Sequence, residues 1–150
     1  MTSKKTEAQG AQLLEMLREE SARLIVVRDG CTLYRSDERG IRPLLDALGS
    51  LPADVLSGAS YADRVIGKAA ALLLVHAGAS FVATVVASKA ALDMLRQHGT
   101  PTYQEQIAPH IVGRTPEQSC PFEASVSDVD DPALAHRTLR RLANEMGLLS

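Results

Sequence analysis

The fold is decided by residues 60–87, which read SYADRVIGKAAALLLVHAGASFVATVVA. Ser60 followed by Asp63 is typical of a helix N-terminus, and the apolar residues after it point several ways, so the pattern predicts a largely buried helix over 61–77. The run from 80 to 87 is rich in β-branched residues and predicts a central strand. A strand that is reached through a helix runs parallel to the strand before it, so we expect parallel pairing in the sheet.

Upstream of this stretch the sequence predicts a helix, a hairpin and a second helix. An amphipathic pattern covers 6–21, and an apolar stripe with a spacing of three and four covers 41–48. Between them, 24–27 and 31–34 flank Asp29-Gly30, a dipeptide typical of a type I′ turn. Because 24–27 shows no polar alternation, we expect this strand to be covered on both faces, as in a layered α/β protein.

Downstream of the central strand the signals are weaker until the last helix. Ser88 predicts a helix N-cap, and that helix is expected to end near His98. Residues 103–112 predict two weak edge strands broken by Pro109, and Cys120-Pro121 opens a short turn or helix. The last helix is predicted over 132–146.

This order of elements predicts an α/β fold with three layers, α/β/α, around a mixed sheet. It is the arrangement of cytidine-deaminase-like domains. The length of 150 residues fits one domain over 1–150. We expect a core over about 22–126, with helices 6–21 and 132–146 as additions that could serve contacts in a homo-oligomer.

Composition argues against several classes of function. The formal net charge is −2 and neither sign forms a long block, so neither nucleic-acid binding nor a polybasic membrane anchor is predicted. The longest apolar stretch, 69–77, is too short to span a bilayer, and no apolar signal core follows the first residues. Cys31 and Cys120 are the only cysteines and suit a reducing cytoplasm.

Metal and cofactor motifs are not found in the sequence. Zinc deaminases open one helix with His-x-Glu and the next with Pro-Cys-x-x-Cys, whereas the helix starts predicted here, 61–63 and 88–90, supply one Asp, one Ser and one Lys. Gly67-Lys68 does not fit a phosphate-binding loop, which needs a different flanking pattern, and it lies inside the predicted helix. We therefore predict no metal and no cofactor. Four histidines lie far apart in the chain and are expected to be satisfied or solvated: His76, His98, His110 and His136.

Cys120 and Lys68 are the strongest candidates for chemistry. A thiol at a helix N-terminus is stabilised as the thiolate, so Cys120 is a candidate nucleophile; the alternative is a half-buried thiol that packs as a small apolar group. Lys68 is the only charged residue on the apolar part of its predicted helix. Its ammonium must reach solvent, form a pair, or face a ligand.

Five further residues are candidates, each with a structural alternative. Asp63 is either catalytic or the partner of Ser60 in a helix cap. Gly67 belongs to a strip of small residues on the predicted helix, which serves either a ligand or close packing. Asp37, Arg39 and Arg114 lie in predicted loops, where Arg39 could bind an anion, although a solvated turn also accounts for them.

Three segments resemble domain-of-unknown-function family 1893, a prokaryotic family: Ser36-Asp37-Glu38-Arg39-Gly40-Ile41, the block from Ala62 to Ala71, and Cys120-Pro121-Phe122-Glu123. The resemblance spans about residues 22–126. It implies a cytidine-deaminase-like fold without the zinc motifs and a pocket around Asp37, Asp63, Lys68 and Cys120. No substrate comes with it, and Gly113-Arg114 departs from the Asn-Arg expected in the late loop.

Two hypotheses of function follow. The first is a deaminase-like domain without zinc that binds a small anionic or nucleotide-like molecule, with Cys120 as nucleophile and Lys68 as the group that stabilises charge. The second is a catalytically inert module for ligand sensing or oligomeric assembly. The two differ in turnover, since only the first predicts a reaction.

Overall fold

The structure is a computed structural model that describes residues 3–109 and 120–149. The sequence folds into five strands and seven helices over this part of the chain. In chain order they are α1 (Lys4–Glu19), β1 (Leu24–Arg28), β2 (Cys31–Ser36), α2 (Arg42–Ser50), α3 (Ala53–Leu56), β3 (Ser60–Ile66), α4 (Lys68–Ala77), β4 (Phe81–Ser88), α5 (Lys89–Gln97), β5 (Thr102–Ala108), α6 (Pro121–Ser125) and α7 (Pro132–Glu145).

The five strands form one mixed sheet in the order β2-β1-β3-β4-β5. β1 pairs antiparallel with both β2 and β3, and β3, β4 and β5 run parallel to one another. The parallel neighbours are joined through α4 and α5, as crossover connections require. The predicted mixed α/β class with helices flanking a sheet is therefore confirmed.

The β1–β2 hairpin has the predicted turn. Asp29 and Gly30 both adopt positive φ, 52° and 77°, which is the backbone of a type I′ turn. Leu24, Ile25, Val26 and Val27 are all buried, because the sheet is covered on both faces at this strand.

The predicted helix over 61–77 is wrong in its first part, since Ser60–Ile66 is the central strand β3. β3 pairs with β1 on one side and with β4 on the other, and Tyr61, Ala62, Asp63 and Ile66 are buried, so its sequence shows no regular alternation of polar and apolar residues. Helix α4 begins only at Lys68, with Gly67 as its N-cap. Asp63 is consequently a strand residue, and its predicted pairing with Ser60 in a helix cap does not occur.

Two hydrophobic clusters lie on opposite faces of the sheet. On one face α1 packs Leu14 and Leu17 against strand residues such as Ile25 and Ala62. The other face carries the larger cluster, to which α2, α4, α5, α6 and α7 contribute buried residues. Helix α4 is its centre, with Leu72, Leu73 and Leu74 fully buried.

Element ends differ from the predictions by small amounts. Helix α1 begins at Lys4 because the Ser3 side chain accepts a hydrogen bond from the Thr6 amide. Helix α7 ends at Glu145. β5 is one strand that ends before Pro109, and the rest of the predicted edge region falls outside the described residues. Within the described part of the chain, no helix is both long and apolar enough to cross a membrane.

Candidate functional site

A cavity of about 240 Å³ lies where β3 ends and α4 begins. Its walls come from the residues that precede β1, the loop between β2 and α2, the end of β3, the first turn of α4, and α6. We call it the Asp63 cavity. It is lined by Arg23, Glu38, Gly40, Ile41, Asp63, Val65, Gly67, Ala69, Ala70, Cys120, Phe122 and Glu123.

The sheet positions two of the charged groups. Asp63 pairs with Leu24 in the β1–β3 ladder, so Arg23, which directly precedes β1, reaches the same end of the sheet. Side chains alternate across a strand, and Asp63 therefore faces the same side as buried Tyr61, the side covered by α4 and α6. Both groups reach the cavity because β1 runs opposite to β3.

Asp63 is a buried carboxyl group, only 9% exposed. Loss of hydration raises the pKa of Asp63 to about 7, because burial disfavours the charged form more than its neighbours favour it. The opposing neighbours are the backbone amides of Val65 and Arg64 and the positive charge of Arg23. At neutral pH the group can therefore either give or take a proton.

Glu123 is a second carboxyl group of the cavity. Its Oε1 accepts a hydrogen bond of 3.4 Å from the Ala69 amide in the first turn of α4. Burial raises the pKa of Glu123, against the effect of the backbone amides of Ala69 and Lys68 and of the Lys68 charge. The cavity thus holds two carboxyl groups that both favour the neutral form more than in water.

Cys120 lines the cavity as the N-cap of α6. Its side chain makes no capping hydrogen bond and is half-buried. Its thiol shares the cavity with the carboxyl groups of Asp63 and Glu123, and this combination offers a nucleophile and two groups for proton transfer.

Lys68 does not line the cavity. Its ammonium nitrogen donates to the Ser127 carbonyl at 3.0 Å and lies 2.9 Å from Asp130 Oδ1. The sequence left three roles open for the Lys68 ammonium: reaching solvent, forming a pair, or facing a ligand. In the structure it forms a pair.

The other predicted residues have separate positions. Gly67 lines the cavity as the N-cap of α4, so the predicted strip of small residues along one helix does not exist there. The reasoning that Gly67-Lys68 lies within a helix is also wrong, although its flanking residues still do not match a phosphate-binding loop. Asp37 and Arg39 are exposed and do not line the cavity. Arg114 lies outside the described residues.

Three charged residues of the cavity were not among the sequence candidates: Arg23, Glu38 and Glu123. Glu123 carried a usable signal, since it stands three residues after Cys120, where a glutamate often closes a helix cap. Arg23 and Glu38 gave no comparable signal, because their positions depend on the pairing of β1 with β3.

The residues present do not fit a zinc site. Three helix starts meet at the cavity: that of α2 at Gly40 and Ile41, that of α4 at Gly67 and Ala69, and that of α6 at Cys120. The predicted start at 61–63 was misplaced, but the true starts supply one Cys and no His, which is too few of the ligands that zinc prefers. Across residues 3–109 and 120–149, no cluster of three or more His, Cys, Asp or Glu side chains is arranged to hold a metal ion.

Comparisons with known proteins agree on the family. The fold matches the crystal structure of a DUF1893 family protein from Thermotoga maritima with a TM-score of 0.79 and 22% identity, over 94% of this chain and 92% of that one. At this identity the likeness concerns the fold. No curated protein matches the sequence. The model of the family described as a domain of unknown function, DUF1893, matches residues 12–142, and the chain therefore belongs to the DUF1893 family.

Proposed function

We propose that the Asp63 cavity binds a small nucleoside-like molecule and that Cys120 reacts with it. The observation that supports this proposal most is that a thiol, a buried carboxyl group and a half-buried one, both with raised pKa, line one cavity. Residues with perturbed pKa in a cleft are typical of functional sites. We also propose that the fold is cytidine-deaminase-like, since helix starts meet at this cavity, as they do in those enzymes.

The charges of the cavity favour a polar ligand with little negative charge. Among the described residues that line the cavity, Arg23 is the one cationic side chain, whereas three are carboxyl groups, Glu38, Asp63 and Glu123. Neutral carboxyl groups donate and accept at once, which suits the adjacent donors and acceptors of a heterocycle or an amide. A nucleoside therefore fits the lining better than a phosphate-rich nucleotide.

The proposed chemistry is nucleophilic addition. The Cys120 thiol gives its proton to the Glu123 carboxylate as its sulfur forms a bond to an electrophilic carbon of the ligand, and the electron pair of the broken π bond moves to the attached nitrogen or oxygen. The neutral Asp63 carboxyl gives its proton to that atom and becomes a carboxylate. Burial of Asp63 keeps enough of the acid form near neutral pH for this step.

The test is a thermal-shift screen of nucleobases, nucleosides, nucleotides and sugar phosphates, followed by alkylation of the two cysteines with iodoacetamide in the presence of each hit. A ligand in the Asp63 cavity should slow alkylation of Cys120 and leave that of exposed Cys31 unchanged, so Cys31 is an internal control. Hits that leave Cys120 unprotected would place the binding elsewhere. Protection without turnover would support the inert sensor instead.

A further inference from the structure

Two histidines from different helices meet at the end of α4 that lies away from the Asp63 cavity. His76 lies in the last turn of α4 and is exposed, and His136 lies in the first half of α7. Their ring centroids are 4.6 Å apart and the ring planes are inclined by 31°. The two rings are therefore part of the contact between α4 and α7.

The His136 ring is poorly placed to carry a positive charge. Its Nε2 is buried and, among the residues that the structure describes, has no hydrogen-bond partner. A charged imidazole has an N–H donor on both nitrogens, so protonation of the docked ring leaves a buried donor unpaired. Burying a charge without a partner is costly, and the cost is relieved when the ring reaches water.

Among the described residues, the groups that face His136 carry no negative charge. α4 contributes the His76 ring, and α7 itself contributes the positive charge of Arg140. A cavity of about 280 Å³ borders the pair, and its lining from α2, α3 and the residue after α3 is uncharged: Leu48, Ala53, Leu56 and Ser57. Burial, followed by the nearby His76 and Arg140, lowers the pKa of His136.

Apolar packing next to His136 holds α7 on α4. The buried residues of α7 are Ala135, Leu139 and Ala143, and all three belong to the larger hydrophobic cluster, of which α4 is the centre. Two of the three are alanines, which bury little apolar area. A buried positive charge at His136 is therefore large in comparison with the packing that holds the helix.

The segment before α7 connects this contact to the Asp63 cavity. Ser127 and Asp130 lie between α6 and α7 and bind the Lys68 ammonium at the start of α4. Phe122 and Glu123 of α6 line the cavity. Release of α7 therefore also frees the residues that join α6 to α4 at one wall of the cavity.

We propose that a proton on His136 releases α7 from α4 in mild acid and so opens the Asp63 cavity. In the released helix the pKa of His136 returns to its ordinary value of 6.5, whereas in the docked helix it is lower. The released state thus binds more protons, and docking weakens as the pH falls through 6.5 towards the docked value. This response does not depend on which molecule the cavity binds.

The experiment is amide hydrogen exchange of the untagged chain at about pH 7.5 and about pH 5.5, with the rates corrected for the intrinsic effect of pH. If His136 stays neutral when docked and has a pKa of 6.5 when released, α7 opens about tenfold more often at the lower pH. We expect the protection of α7 amides to fall by up to that factor relative to α1. Helix α1 lies on the other face of the sheet, so it is an internal reference for changes in global stability.

Two variants separate His136 from the other titrating groups. His136→Phe keeps a ring, removes the site of protonation and leaves no partner of Nε2 behind, so its α7 protection should be equal at the two pH values. His98→Gln, at the exposed end of α5, is the matched control and should behave like the native chain. The ratio of iodoacetamide alkylation at Cys120 to that at Cys31 reports on the cavity. At the lower pH this ratio should be several-fold higher in the native chain than in His136→Phe.

Three results would overturn the proposal. The first is equal protection of α7 at the two pH values in the native chain, and the second is a fall in protection that persists in His136→Phe. The third is release of α7 with equal Cys120 alkylation in the native chain and in His136→Phe, which would separate the helix from the cavity. If His136→Phe does not fold, nuclear magnetic resonance titration of the native chain takes its place. A measured His136 pKa at the ordinary value of 6.5 would then contradict the proposal.

Discussion

The Lys68 ammonium lies 2.9 Å from Asp130 Oδ1 and 3.0 Å from the Ser127 carbonyl oxygen. Lys68 begins α4, and the other two residues follow α6, whose Phe122 and Glu123 line the Asp63 cavity. These contacts and the bond from the Ala69 amide to Glu123 join α6 to the start of α4 by polar interactions. The lysine therefore holds one wall of the cavity in place.

Replacing this lysine tests that role. Lys68→Met keeps the aliphatic stem and removes the charge, and we expect the free energy of unfolding to fall by about 1 kcal/mol, because the ion pair involves a largely exposed Asp130. Alkylation of Cys120 should become several-fold faster as the wall opens more often. Peptide mass spectrometry measures each cysteine separately. Lys89→Met, an exposed change at the start of α5, is the control; equal alkylation rates in the two variants would contradict the role given to Lys68.

The buried Asp63 predicts how stability changes with pH. Its pKa is about 7 in the folded protein and near 3.8 in the unfolded chain, so the folded state binds more protons between these values. Asp63 therefore makes the protein less stable as the pH rises from about 4 to 7, by a few kcal/mol at most.

Asp63→Asn should remove this dependence of the free energy of unfolding on pH. Urea unfolding at several pH values measures it, with Asp93→Asn, at an exposed site, as the control. An unchanged slope in Asp63→Asn would mean that the carboxyl is ionised in the folded state.

The same variant tests the proposed chemistry. If Asp63 gives a proton during the reaction, turnover of any substrate found should fall by about 10²–10⁴-fold in Asp63→Asn, because the amide cannot transfer a proton. Ligand binding, followed by thermal shift, should persist because the amide keeps a donor and an acceptor. Glu38→Gln, another carboxyl of the same lining, should reduce turnover far less. Equal turnover by the native chain and Asp63→Asn would remove the residue from the reaction.

Local sequence patterns were sufficient to predict elements that begin or end with a recognisable turn or cap. They were insufficient to predict β3. The Asp29-Gly30 turn and the Ser88 N-cap depend on neighbouring residues only, and both were predicted. Ser60–Ile66 has the residues of a helix start as well as those of a buried strand, and pairing with β1 and β4 decides between them. Such pairing is a tertiary effect that a short window of sequence does not contain.

The cavity shows the same limit. Asp63 and Cys120 were both among the sequence candidates, Asp63 at a helix start that proved wrong, whereas Arg23 enters because β1 and β3 pair in one register. Lys68 was expected to face a ligand as readily as a partner. Its partner, Asp130, lies in a segment whose position is set by the packing of α6 and α7 on α4. Residue type could therefore suggest candidate site residues, whereas the topology of the fold determined which of them lie in one cavity.

Tyr61 supplies a test of the buried polar network. Its hydroxyl donates to the Leu56 carbonyl at 3.0 Å, and the side chain is 1% exposed. Tyr61→Phe leaves that carbonyl without its donor, so we expect the free energy of unfolding to fall by about 1–2 kcal/mol. Tyr34→Phe is the comparison, because Tyr34 is half-exposed and makes no side-chain hydrogen bond within the described residues. Urea denaturation measures both, and equal losses would show that the Tyr61 bond adds nothing.

Two glycines in helices predict opposite effects of alanine, and together they test how α1 lies on the sheet. Gly10 is buried in α1, and a Cβ atom there would overlap the Tyr103 ring of β5. Gly49 lies in α2, where a Cβ atom would lie 3.5 Å from the Arg140 guanidinium, an ordinary contact.

Alanine favours a helix over glycine by about 1 kcal/mol, so Gly49→Ala should stabilise the protein by up to that amount. Gly10→Ala should lower the free energy of unfolding by about 1–3 kcal/mol, because the helix or the ring must shift. Chemical denaturation of both variants gives the two values. If Gly10→Ala were stabilising instead, α1 could not pack this closely against β5, and the face of the sheet opposite α4 would be covered in another way.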